Sequence, residues 1–215
     1  MAELIRGLDA AVVARNLARV REEIDGTGRD PGDVEVLAAV KYVALEELGV
    51  LAEAGLRVAG ENRAQDLEVK AAAHPELTWD FIGHLQSRKV KQVLPLVRWV
   101  HSVSSDSVLR QLERHATPDT EVLVEVNVAG EEEKAGIAPA ELGAFIARSP
   151  VRVVGLMTMP PYTDDPEASR PVFGALRELA GEHGLHHLSM GTSQDYRVAA
   201  EEGATIVRLG TILYA

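Results

Sequence analysis

The chain has 215 residues, 46% of them hydrophobic and 26% charged, which suits one globular domain with a full core. A net charge of −11 argues against a nucleic-acid partner, whose phosphates want a basic face, and the lack of cysteine excludes disulfides, thiolate chemistry and cysteine zinc sites. The N-terminus carries charge where a signal peptide needs an apolar core, and no stretch is long and apolar enough to span a bilayer, so a cytoplasmic protein without membrane contact is expected.

Residues 4–25 read as a helix, with Leu8, Val12, Leu17, Val20 and Ile24 spaced for one face. Gly26-Thr-Gly28 and Asp30-Pro-Gly32 break it. Because it precedes any strand, residues 1–30 are expected to be an addition to the main fold. Residues 34–41 form an apolar, β-branched run that reads as a buried strand ending at Lys41. Burial there would disfavour the ammonium and leave an amine that can attack an aldehyde; a lysine that snorkels to the rim or pairs with a carboxylate is the plainer alternative.

The rest alternates. A helix is expected to residue 54, stopped by Gly55, then a strand over 57–62 and a polar helix over 63–73. Strands are next expected at 77–83, 99–103, 121–128, 151–158, 186–190 and 205–210. Helices are expected at 84–96, 106–115, 139–148, 166–183 and 193–202. Eight strands alternating with helices predict a (β/α)8 barrel that uses nearly the whole chain, a single domain over 1–215 with no room for a second. No glycine-rich dinucleotide fingerprint comes after the first strand, so a doubly wound sheet fits less well.

In such barrels chemistry gathers where the strands end. Those ends supply Lys41, Glu61-Asn62, Gly83-His84, His101-Ser102, Asn127, Met157-Thr158, Ser189-Met-Gly191 and Arg208-Leu-Gly-Thr211. Ser189-Met-Gly-Thr-Ser193 places a glycine and hydroxyls at a helix N-terminus, where free N–H groups and the helix dipole favour an anion; a capping box from Thr192 to Asp195 explains the same residues. Gly210-Thr211 after the last strand adds weight to a phosphate site. A phosphate cradle with a strand-end lysine suggests a phosphorylated aldehyde held as a Schiff base, of which pyridoxal 5′-phosphate is the familiar case. Arg208 would then lie by the pyridine nitrogen, where a cation disfavours ring protonation. His84 opens a helix and either touches the cofactor, moves a proton or caps. His101, His186 and His187 have no defensible metal-ligand spacing. The acidic loop over 130–136 comes after the fifth strand, either as solvated surface or over the mouth.

The sequence resembles the pyridoxal phosphate homeostasis protein family along nearly its whole length. The resemblance is carried in order by Leu37-Ala-Ala-Val-Lys41, Gly60-Glu-Asn62 with Gln65, Phe81-Ile-Gly-His-Leu-Gln-Ser87 with Lys89, His101-Ser-Val103, Val126-Asn-Val128 with Gly136, Gly155-Leu-Met157, Leu188-Ser-Met-Gly191 with Ser193 and Asp195, and Val207-Arg-Leu-Gly-Thr211. It implies a fold similar to the N-terminal barrel of alanine racemase. It also implies Lys41 as the Schiff-base lysine, Asn62 and His84 near the cofactor and Met157 against the ring. Ser189, Gly191, Ser193, Gly210 and Thr211 would hold the phosphate, and Arg208 would face the pyridine nitrogen. Val40, Tyr42, Arg63 and Thr192 depart from the family's common pattern without removing a group the Schiff base needs. The implied role is a non-catalytic carrier of pyridoxal phosphate that buffers the free aldehyde and hands it to apo-enzymes; a free-standing barrel is compatible with a monomer. The alternatives are a small pyridoxal-phosphate racemase, with Tyr42 or His84 as second acid/base, and a cofactor-free Schiff-base aldolase.

Overall fold

A computed structural model describes residues 4–131 and 134–215. Eight parallel strands close into a barrel in chain order, each bonded to the next and the last to the first. They are β1 (Glu35–Ala39), β2 (Val58–Glu61), β3 (Thr78–Phe81), β4 (Trp99–Val103), β5 (Glu121–Glu125), β6 (Arg152–Met157), β7 (His187–Ser189) and β8 (Ile206–Leu209). Outside them run α1 (Ala10–Asp25), α2 (Leu48–Glu53), α3 (Ala64–Ala73), α4 (Val90–Val93), α5 (Asp106–His115), α6 (Leu142–Ala147), α7 (Arg170–Glu182), α8 (Tyr196–Glu201) and α9 (Thr211–Tyr214). The (β/α)8 expectation is therefore met. Among the described residues no helix is long and apolar enough to cross a membrane.

Two apolar clusters hold the barrel. The larger lies between strands and helices. The smaller, Leu37, Val58, Leu123, Val154 and Ile206, packs between strands from all around the barrel and so fills part of its interior. The rest of the interior is polar. Asp80, His101, Ser189 and Arg208 are all buried and bonded to one another from β3, β4, β7 and β8. Strands on opposite walls can meet only through the centre, so this chain of contacts crosses the barrel.

Several element starts differ from expectation. The first helix begins at Ala10, not at residue 4, because the Asp9 carboxylate caps it by accepting from the N–H groups of Ala11 and Val12. Ahead of it the chain is not helical, and Ile5 forms an isolated bridge to Val43. Ile5 donates to the Tyr42 carbonyl and accepts from Ala44, so the segment is pinned beside the exit of β1. The buried face of α1 is Val13, Asn16, Leu17, Val20 and Ile24, one step round from the face expected. This extra helix has a place in the barrel's outer layer. The segment after β8 makes only the short α9, and α1 packs on α9, α2 and α8, covering the seam where β8 meets β1. The Asn16 amide donates to the carbonyls of Leu213 (3.2 Å) and Ala215 (2.7 Å), tying the two ends of the chain. Asn16→Leu should destabilise the protein by about 1–3 kcal/mol, because it leaves those carbonyls unpaired at a buried seam; urea unfolding would show the lowered midpoint.

Strand five also stops early. Val126 forms only an isolated bridge to Ile137, and the Asn127 amide turns to the backbone of Glu131. Asn127 is thus a loop anchor rather than a strand-end group. Glu132 and Glu133, at the centre of the acidic loop, lie outside the described residues.

Candidate functional site at the strand ends

The C-terminal ends of the strands surround a cavity of about 490 Å³. Eight of the expected residues line it: Lys41, Asn62, His84, Met157, Ser193, Arg208, Gly210 and Thr211. Ser189 and Gly191 do not; both are buried, Ser189 bonded to Arg208 and Gly191 packed against Ala199 and Tyr196.

Lys41 lies just beyond β1 in a turn fixed from behind. The buried Lys70 of α3 donates from Nζ to the Val40 carbonyl (2.6 Å) and to Glu61 Oε2 (2.6 Å). Glu61 Oε1 in turn accepts from the N–H groups of Asn62 (2.6 Å) and Arg63 (3.2 Å). One buried ion pair therefore sets the backbone on both sides of the cavity's first corner. Lys41 itself is exposed, with Nζ 4.8 Å from the centroid of the Tyr42 ring. Of the two readings of Lys41, burial is not observed and a side chain at the rim is, because β1 ends at Ala39 and Lys41 follows in the turn.

Asn62 stands next. Its Oδ1 is buried and has no hydrogen-bond partner among the described residues. Gly83 allows the approach, since a Cβ there would fall 2.1 Å from the Asn62 carbonyl oxygen. His84 is exposed and opens no helix. A 3-10 turn starts only at Ser87, and α4 begins at Val90. Its ring faces the cavity from a loop, so capping is not its role.

The opposite side is built by the loops after β7 and β8. The Ser193 hydroxyl accepts from the Gly210 N–H (3.2 Å), joining the two loops. Thr192 is used internally: its N–H (2.7 Å) and hydroxyl (3.0 Å) both donate to Asp195 Oδ1, while Asp195 Oδ2 accepts from Ser169. Gly191 is required by its positive φ of 91° and by Ala199, whose Cβ would lie 2.6 Å from an added Cβ. The N–H groups of Ser193, Gln194 and Thr211 have no acceptor among the described residues. The expected helix at residue 193 starts only at Tyr196, and α8 and α9 have six and four residues. An anion here would be held by hydroxyls and unpaired N–H groups rather than by a long helix dipole.

Arg208 lies at the floor. Nη1 donates to Ser189 Oγ (2.6 Å), and Nη2 donates to the Thr158 carbonyl (2.9 Å) and to Met159 Sδ (2.8 Å). Among the described residues no carboxylate pairs with it, and burial pushes the guanidinium down to about 10. Behind Ser189, His101 Nδ1 lies 2.8 Å from its Oγ, and His101 Nε2 lies 3.2 Å from Asp80 Oδ2.

Sequence reasoning missed Glu125 and Met159 in the lining, and gave Ser102, which also lines it, only as a strand end without a role. Glu125 had a signal: a carboxylate closing the apolar run of β5. Burial raises its carboxyl above the usual range, against the opposing pull of Arg208 and His84. The Lys70–Glu61 pair left no signal, because a lysine on a polar helix looks solvated.

The family described as alanine racemase, N-terminal domain, matches residues 8–215. A pyridoxal phosphate homeostasis protein of Aquifex aeolicus is 41% identical over 217 residues, covering 94% of this chain and 95% of that one. The chain belongs to the pyridoxal phosphate homeostasis protein family. A Pseudomonas aeruginosa member is 38% identical over 213 residues, covering 94% of this chain and 93% of its own. The solved structure of PipY from Synechococcus elongatus with PLP bound matches with a TM-score of 0.80 at 30% identity, over 94% of this chain and all of that one. These three relatives match the chain over nearly their whole lengths.

Proposed function

We propose that this chain binds pyridoxal 5′-phosphate in the strand-end cavity, with Lys41 bonded to its aldehyde carbon, and acts in its homeostasis rather than in amino-acid turnover. The observation that carries this is one cavity that brings together an exposed amine, a buried cation and an unpaired anion cradle. Its residues fit the group. A cavity of this size suits a small cofactor, and the unpartnered Asn62 Oδ1 calls for a donor from a ligand. When bound, pyridoxal phosphate supplies a reactive aldehyde and an electron-withdrawing ring.

Each side chain then has a task. Lys41 Nζ reaches the aldehyde from the rim. The Ser193 and Thr211 hydroxyls and the neighbouring N–H groups bind the phosphate, with Gly210 letting the chain come close and Gly191 turning the loop. Ser189 acts from below by holding Arg208. Asn62 and His84 flank the ring, and Met157 packs against it. Arg208 offers N–H donors to the ring nitrogen, which must then be bare to accept, so the ring withdraws electrons weakly. That favours holding the cofactor over transforming an amino acid on it. Apo-enzymes that need the cofactor are its recipients in this reading, with the chain a cytoplasmic monomer.

Adding pyridoxal phosphate to the purified protein should give a saturable visible absorption band, and amino acids incubated with the loaded protein should keep their chirality. A band with rapid racemisation would make the protein an enzyme. No band would favour the cofactor-free aldolase.

A further inference from the structure

One buried group takes no direct part in holding the cofactor. His101 sits wholly inside the barrel, below the cavity lining, and yet it is not packed as an inert ring. It lies in a chain of hydrogen bonds that runs from the floor of the cavity to the opposite end of the barrel. Arg208 donates to Ser189, Ser189 meets His101, His101 meets Asp80, and Arg98 binds both Asp80 (2.5 Å) and Glu35 (2.6 Å).

The proton positions in this chain are dictated by its ends. Asp80 also accepts from Arg98 Nε (3.1 Å) and the Trp99 N–H (3.2 Å). Burial alone would raise its carboxyl, but the hydrogen bonds from His101 and Arg98 outweigh this and keep it below the usual range. An ionised Asp80 only accepts, so His101 carries its proton on Nε2. Burial keeps the imidazole from gaining a second proton, against the pull of Asp80. His101 Nδ1 is then bare and accepts from the Ser189 hydroxyl. The lone pairs of that hydroxyl are therefore turned to Arg208, which can only donate. Every link has one direction.

We propose that His101 is a positioning residue for Arg208. Through the Ser189 hydroxyl it fixes the guanidinium so that an N–H not used by Ser189, Thr158 or Met159 can be presented to the ring nitrogen of the bound cofactor. This rests on the cofactor reading proposed for the cavity. The arrangement separates charge from orientation. Arg98 neutralises Asp80 at the far end, and what touches Arg208 is a neutral hydroxyl. Arg208 thus stays in a single pose without a directly bonded carboxylate among the described residues, which holds the ring nitrogen bare.

The test uses pyridoxal phosphate labelled with ¹⁵N in the ring, bound to the wild type, His101→Leu and His101→Gln. Leu fills the space without an acceptor for Ser189. Gln can accept from Ser189 and donate to Asp80, but it cannot titrate. The ring-nitrogen resonance should move in His101→Leu, and the cofactor should dissociate roughly tenfold faster, the factor that one lost hydrogen bond to a charged group carries. His101→Gln should restore both. A purely structural role would leave the resonance in place in any folded variant. A folded His101→Leu with the wild-type resonance and dissociation rate overturns the proposal. Should His101→Leu fail to fold, Ser189→Ala cuts the same chain by removing one oxygen, and the same two readouts decide. Absence of any bound-cofactor resonance in the wild type overturns the cofactor reading itself, which separates the two failures.

Discussion

Lys41→Ala should lose all borohydride-stable attachment of pyridoxal phosphate while its thermal midpoint stays within about 2 °C of the wild type. Both halves come from where the side chain lies. Lys41 is exposed on a turn after β1, and its ammonium makes no ion pair among the described residues, so trimming it removes little packing. The amine, by contrast, has no substitute in the cavity, because its other basic lining groups are a guanidinium and an imidazole. Loose binding through the phosphate cradle should persist in the variant, visible as quenched protein fluorescence that returns on dialysis. An intact covalent adduct in Lys41→Ala would place the amine elsewhere.

Lys70→Met should have the largest effect on stability. The lysine and its partner are both nearly inaccessible, with side-chain exposures of 9% and 0%. Removing the cation leaves the Glu61 carboxylate buried and unpaired, a loss of about 3–5 kcal/mol. For a chain of this length that lowers Tm by roughly 10 °C. The change should also reach the site, since Lys70 anchors the Val40 carbonyl and Glu61 anchors the N–H groups of Asn62 and Arg63. Adding Glu61→Gln to Lys70→Met should recover part of the loss, because a neutral amide oxygen still accepts from the backbone without leaving a charge. Differential scanning calorimetry of the two single variants and the pair closes that cycle. A Lys70→Met protein as stable as the wild type would mean that the pair is solvated.

The barrel was legible because each strand is a short apolar run buried on both faces and bounded by turn residues, as in Glu121-Val-Leu-Val-Glu125. The site was legible for a related reason: a barrel puts strand ends on one mouth, so reading the residue after each run finds Lys41, Asn62 and Thr211 without knowing a distance. What failed was local. Capping moved the start of the first helix to Ala10, and a loop replaced the helix expected at His84. Asn127 fell outside the site because the strand stopped at Glu125, three residues early. What could not be read at all was long-range. His101 and Ser189 are 88 residues apart, and Lys70 meets Val40 across 30. Only closure of the barrel brings such pairs together, and no periodicity in the sequence records it.

In the proposed function Lys41 is the attachment point for pyridoxal phosphate. The chain has five lysines, Lys41, Lys70, Lys89, Lys91 and Lys134, so the most direct measurement is borohydride reduction of the loaded wild-type protein and then peptide mapping by mass spectrometry. A single stoichiometric label on the peptide containing Lys41 is the predicted result. A label on another lysine or on the N-terminal amine, with Lys41 unmodified, would contradict it.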